Sequence, residues 1–248
     1  SSGRHGAGAL SFCRRGARRV IELHGYGPLL LDGAWLTVRV AFASVAVGLV
    51  FGLIGATAKL SNNRVARGAA TAYTAIVRGI PELLLLLIVF YGGSLLVQQI
   101  WLGLGGESYV EIKPFVAGTF TLAFVFGAYA TEVFRGAILS VPKGQVEAAY
   151  AMGMGRFQMF RRVMLPQVWR FALPGLGNLW LVLLKDTSLI SVVNLNELMY
   201  NSRSAAGATR EPFTFFVAAA IIYLGFTIIS MIVLQYSERR ARRGVRQS

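Results

Sequence analysis

Cysteine and histidine are nearly absent from this chain. Cys13 is the one cysteine, so an intramolecular disulfide is excluded, and with only His5 and His24 beside it no Cys/His cluster can hold a metal. Two histidines also leave little material for histidine-based acid–base catalysis. Charge is scarce as well: 15% of the 248 residues are Asp, Glu, Lys or Arg, against roughly a quarter in an ordinary soluble domain. No Gly-Lys dipeptide occurs, so the chain has no phosphate-binding loop of the Gly-x4-Gly-Lys-Ser/Thr type. It also lacks low-complexity linkers and any repeat of 20–50 residues.

Apolar residues fill the space: 55% of the chain is hydrophobic and its mean hydropathy is +0.57. They fall in long blocks rather than amphipathic stripes. A helix needs about 20 apolar residues to cross the hydrocarbon core. Five blocks meet that need: Ala34–Ala58, Leu83–Ile100, Phe115–Ala137, Phe171–Val193 and Phe213–Tyr236. The expected class is an all-α membrane protein with five transmembrane helices.

The net charge of +14 would suggest nucleic acid in a soluble protein. Here the positives lie between and beyond the apolar blocks, where they orient a chain in a bilayer; the expected surroundings are membrane lipid, and no nucleic acid. Lys59, Arg64 and Arg67 occupy the first connection, and Arg78 the entry to the second block. The second connection holds Lys113 against Glu107 and Glu111, and the fourth holds Arg203 and Arg210. The third holds Lys143, Arg156, Arg161, Arg162 and Arg170, and the tail is rich in arginine from Arg239 to Arg246. The basic stretches are expected on the cytoplasmic side, which puts the C-terminus inside and, with five spans, the N-terminus outside. Arg4, Arg14, Arg15, Arg18 and Arg19 run against this rule, but three basic stretches outweigh one basic tail.

The longest of these connections is the most informative. From Val141 it reads VPKGQVEAAYAMGMGRFQMFRRVMLPQVWR. Val146, Ala149, Gly153 and Phe157 recur every three or four residues, the spacing of a short helix. Small residues let such a helix seat closely in a cleft, Gly153 permits a sharp turn and Gly155 a second flexible point. Leu165-Pro166 is expected to begin the fourth span, with proline at the helix entry.

The sequence Glu147-Ala148-Ala149, then Gly153, then Leu165-Pro166 resembles the EAA loop of ABC importer permeases. In that family the loop is the coupling helix, which docks on a cytoplasmic ATPase. The stretch from Tyr73 to Glu82, with Arg78-Gly79-Ile80-Pro81, resembles the entry to the second span in polar amino-acid permeases. Leu184-Lys185-Asp186-Thr187-Ser188-Leu189 and Glu211-Pro212-Phe213 are similar to that family's fourth span and fifth-span entry. Glu82 favours the Q-type branch serving histidine, lysine, arginine and ornithine. The resemblance covers about 25–240, read as one permease domain with its coupling loop at about 141–166. Residues 1–24 form a basic extension and 241–248 a basic tail.

The resemblance implies the five-helix core of a type I ABC importer in the bacterial inner membrane. It implies a second permease subunit, identical or paralogous, ABC ATPase subunits, and a periplasmic amino-acid-binding protein. ATP and magnesium would belong to the ATPase; no cofactor is expected in this chain, which is read as a transport subunit and not an enzyme. The ATPase-coupling residues are then Glu147, Ala148, Ala149, Gly153, Leu165 and Pro166.

Charges inside the apolar blocks need a reason, because a charge at the bilayer centre costs roughly 2.5–3.5 kcal/mol on insertion scales. Two roles fit Lys185 and Asp186 equally: a structural one, as an ion pair or with the lysine snorkelling toward the interface, or a polar lining in which Asp186, Thr187 and Ser188 meet a substrate cation. Glu82 is a further pathway candidate. It and Glu132 also suit pairing with a neighbour such as Arg78 or Arg135. Gly48, Gly52 and Gly55 read as helix packing, as do Trp169 and Trp180. Three other classes stay open: a secondary transporter or channel working without an ATPase, a membrane enzyme, and a non-transporting scaffold. The first sits badly with five spans and no visible halves. The second lacks any nucleophile–base pair or ligand set.

Overall fold

The computed structural model describes residues 23–106 and 112–241. The basic extension through Arg19, the loop acids Glu107 and Glu111, and the tail beyond Ala241 lie outside the described residues. Eight helical segments follow one another: α1 (Gly27–Leu60), α2 (Arg64–Gly79), α3 (Glu82–Gly103), α4 (Pro114–Leu139), α5 (Lys143–Ala151), α6 (Arg156–Val193), α7 (Leu198–Thr209) and α8 (Pro212–Ala241). No strand occurs among the described residues. α1, α3, α4, α6 and α8 are long and apolar enough to span a membrane.

Proline and small polar residues set the joints. Asn63 caps α2 by accepting from the Val65 and Ala66 amides at 2.9 and 3.4 Å. Pro81, extended at the α2–α3 junction, breaks the helix there. Pro114 opens α4. Within α6, a π turn at Phe160–Met164 precedes Pro166, whose missing N–H cannot serve the carbonyl four residues back. α6 tightens into a 3-10 turn at Thr187–Val193 and stops at Asn194, in the left-handed region (φ 61°).

The five blocks each extend into a longer helix. The fourth changes most: α6 begins at Arg156, not Phe171, so Leu165 and Pro166 lie inside a continuing helical path rather than at its start. Arg156, Arg161 and Arg162 had hidden that stretch from a reading based on hydropathy.

The core seam joins α1 and α4, which run in the same direction. A Cβ on Gly48 would meet Phe126 at 2.7 Å, one on Gly52 would meet Ala130 at 2.7 Å, and one on Gly55 would meet Thr131 Oγ1 at 2.2 Å. The two backbones therefore touch across glycine. α6 packs on α4 in the opposite direction, with Gly118 against Ile190 and Gly175 against Val133. α8 follows α6 back, where the Trp180 indole donates to Ser230 Oγ at 2.8 Å and Gly177 meets Leu234. Lys59 and Arg135 both bind Glu132, tying the end of α1 to the last turns of α4. α3 and α8 bury the least of the five spans and present Leu95, Leu96, Ile229 and Ile232 outward, as surfaces in contact with lipid do.

Candidate coupling loop and translocation cavity

Two features of the bundle carry functional chemistry: the short helix after α4, and a cavity at two helix breaks. The short helix, α5, follows Pro142 and covers Lys143–Ala151. It therefore starts four residues before Glu147 and ends before Gly153, so of the Val146, Ala149, Gly153 and Phe157 spacing only Val146 and Ala149 lie on it. Gly153 is the terminator. Its φ is +77°, its N–H donates to the Tyr150 carbonyl at 2.9 Å, and the Met154 N–H donates to the Ala149 carbonyl at 3.1 Å. This pair of bonds closes a helix through a left-handed residue, a geometry that glycine adopts without steric cost.

α5 has two faces. Ala149 is buried, and Val146 is partly buried against the main core. Glu147, Ala148, Tyr150 and Met152 face outward, as do Phe157 and Phe160 on the first turns of α6 and Leu165 and Pro166 beyond them. Nothing lies within 4 Å of a Cβ placed on Gly153 or Gly155. The loop thus offers apolar and small residues at its surface, together with the exposed cations Lys143, Arg156, Arg161 and Arg162.

The second feature is a cavity of about 170 Å³. Glu82, Tyr129 and Asp186 supply its polar groups, and Leu122, Phe126 and Val182 are among its apolar walls. Glu82 is the first residue of α3, after the Pro81 break; Asp186 is the last α-helical residue of α6, before the 3-10 turn. Two interrupted helices thus aim carboxyl groups into one space. Irregular backbone within a membrane protein is tolerated where it is buried or lines a cavity.

The other candidates are placed differently. Thr187 is fully buried and its hydroxyl donates to the Leu184 carbonyl at 2.7 Å. The Ser188 hydroxyl donates to the Lys185 carbonyl at 2.7 Å. Neither lines the cavity, and neither does Lys185, which is exposed. Among the described residues no ion pair joins Lys185 to Asp186. Arg78 does not pair with Glu82; its guanidinium lies over the Tyr129 ring, 5.1 Å from the centroid.

One residue escaped the sequence reading. Glu197 is fully buried at the start of α7, between the fourth and fifth spans. It caps α7 by accepting from the Met199 and Tyr200 amides at 2.9 and 2.7 Å. Burial pushes its carboxyl up to about 7, against the pull of those two amides. An acid after Asn194-Leu195-Asn196 and just before Leu198-Met199-Tyr200, the position of a helix cap, was the available signal.

Glycine-seamed spans, a broken-helix cavity and an exposed short helix between spans define an integral membrane transport subunit. Residues 48–243 match the pattern of the binding-protein-dependent transport system inner membrane components, and the chain belongs to that family. It is 43% identical to the histidine/lysine/arginine/ornithine transport system permease protein HisQ of Escherichia coli (strain K12), over 91% of this chain and 99% of that one. It is 48% identical to the nopaline transport system permease protein NocQ of Agrobacterium fabrum (strain C58), over 90% and 94%. The crystal structure of an amino acid ABC transporter with histidines superposes with a TM-score of 0.74 at 31% identity, covering 87% of this chain and 95% of that chain. The inward-facing MetNI methionine ABC transporter shares the fold at 20% identity, with a TM-score of 0.68 over 87% of this chain and 97% of that one. The fold is that of a type I importer permease, and the chain is a transmembrane permease subunit of an ABC importer.

Proposed function

We propose that this permease imports basic amino acids, powered by a separate ATPase seated on α5 and supplied by a periplasmic binding protein. The observation that carries the substrate reading is the shared cavity of Glu82 and Asp186. A space of about 170 Å³ with two carboxyl groups and an otherwise largely apolar wall suits an ammonium or guanidinium on an aliphatic stem. The relative named for histidine, lysine, arginine and ornithine supports the same class.

The Lys/Arg-rich connections support a topology with α5, the start of α6 and the C-terminus in the cytoplasm and the N-terminus in the periplasm. Glu147, Ala148, Ala149 and Gly153 then present the coupling surface, with Leu165 and Pro166 on the helix behind it. ATP and magnesium act on the partner ATPase, in keeping with a chain that has no phosphate-binding loop. A second permease subunit completes the pore.

The test is competition for uptake by the reconstituted complex. Unlabelled lysine, ornithine and histidine should suppress import of labelled arginine, and aspartate should not. Equal suppression by aspartate would remove the basic amino-acid assignment.

A further inference from the structure

Four polar side chains from four elements meet away from the cavity. Thr37 comes from α1, Thr187 from the 3-10 end of α6, Glu197 from the start of α7 and Tyr223 from α8. Thr37, Thr187 and Glu197 are fully buried. The Tyr223 hydroxyl donates to Glu197 Oε2 at 3.3 Å, and Thr37 Oγ1 lies 3.4 Å from the same oxygen. The Leu198 amide donates to Thr37 Oγ1 at 3.2 Å, and the Tyr223 hydroxyl also faces Thr187. Among the described residues, no cation pairs with Glu197.

A carboxyl group buried without a counter-charge is expensive, and in membrane proteins such groups usually face an interior and serve function. Here its side-chain bonds go to Thr37 and Tyr223, and the Tyr223 hydroxyl faces Thr187, the residue next to Asp186. Thr187 is where α6 changes from α-helical to 3-10 winding, so its placement fixes the direction of the preceding turn. The far side of the 3-10 segment is held from α7 as well, where Arg203 Nη2 donates to the Ser191 carbonyl at 3.1 Å. A single capping residue therefore connects α1, α7 and α8 to the turn that carries a cavity carboxyl group.

We infer that Glu197 is a positioning residue: through Tyr223 and Thr187 it holds Asp186 against the cavity. The consequence for transport rests on the pathway reading given above, but the placement itself does not. A cysteine reporter separates the two. In a Cys13→Ser background carrying Asp186→Cys, the assembled complex is treated with a cationic methanethiosulfonate and the labelling rate is followed.

Glu197→Ala should change that rate roughly threefold or more, as a displaced side chain would. Glu197→Gln, which keeps an acceptor for the cap and a polar group for Tyr223, should restore the parent rate. Where Glu197→Ala does not assemble, Tyr223→Phe removes one of the bonds and takes its place. Equal rates in parent and variant overturn the inference. So does a change that Glu197→Gln fails to reverse, since general loosening would produce it. The pathway reading fails separately, if Asp186→Asn imports arginine at the full rate while the labelling result holds.

Discussion

A Cβ placed on Gly55 would lie 2.2 Å from Oγ1 of Thr131, closer than real side chains approach. The first and third spans therefore share a seam that glycine alone fits, and Gly48 and Gly52 continue it toward the other end. Gly55→Val should destabilise the detergent-solubilised protein by about 1–3 kcal/mol through overpacking, read as a lower melting temperature. Gly68→Ala, on α2 with nothing within 4 Å of the new Cβ, should be neutral or slightly stabilising in the same assay.

The cluster of Lys59, Glu132 and Arg135 is partly buried. Glu132→Gln strands two cations. The expected loss lies between the about 1 kcal/mol of an exposed pair and the about 3 kcal/mol of breaking a buried one. Thermal unfolding of the variant checks this, and the double variant Lys59→Met/Glu132→Gln should recover part of the loss.

Glu197 gives a pH dependence with a definite sign. Its carboxyl titrates at about 7 in the folded protein and at 4.5 ordinarily. The folded state therefore holds the proton more tightly, so the contribution of Glu197 to stability is full below 4.5 and is lost as pH rises through about 7. Tyr223 of α8 is its titratable neighbour, α1 presents Thr37, and Arg203 of α7 is engaged with the Ser191 carbonyl. Melting temperatures measured from pH 5 to 8 should decline in the parent and flatten in Glu197→Gln; a parallel decline in both would remove Glu197 as the cause.

Much of this architecture is legible in the sequence, for a physical reason. Spans must be long apolar runs, so the five blocks appear directly. α2 and α7 do not, because they are short and mix charged or polar residues with small ones, so neither forms a long apolar run; α2 is amphipathic, and both helices are held by capping at Asn63 and Glu197 and by packing on α1. Gly153 is readable as a turn, yet only the backbone shows that it ends α5 rather than forming part of it. Glu82 and Asp186 are each conspicuous in an apolar setting. That they share one cavity, while Thr187 turns into a buried node with Tyr223, depends on how distant segments pack.

The cavity predicts selective loss. Asp186→Asn and Glu82→Gln should each lower arginine import by about tenfold, the equivalent of about 1.4 kcal/mol for one charge-assisted contact. Stimulation of ATP hydrolysis by the loaded binding protein should persist, because α5 is untouched. Parallel loss of both activities would mark these carboxyl groups as structural.

Gly153 tests the coupling loop. Its φ of +77° costs a β-branched residue about 1–2 kcal/mol, so Gly153→Val should unwind the end of α5. The variant should insert normally and lose ATPase association or ATP-driven uptake. Gly155→Ala, at an ordinary φ of −68° with open space around it, should keep both. Full uptake by Gly153→Val would remove the coupling role from this turn.

On the proposed function, energy enters this permease from outside its own chain. The direct measurement is arginine uptake into proteoliposomes holding the permease pair and its ATPase, with the loaded binding protein on the periplasmic face. ATP and magnesium at the cytoplasmic face should be required, and an imposed proton or sodium gradient should not replace them. Uptake driven by such a gradient without ATP would contradict the account.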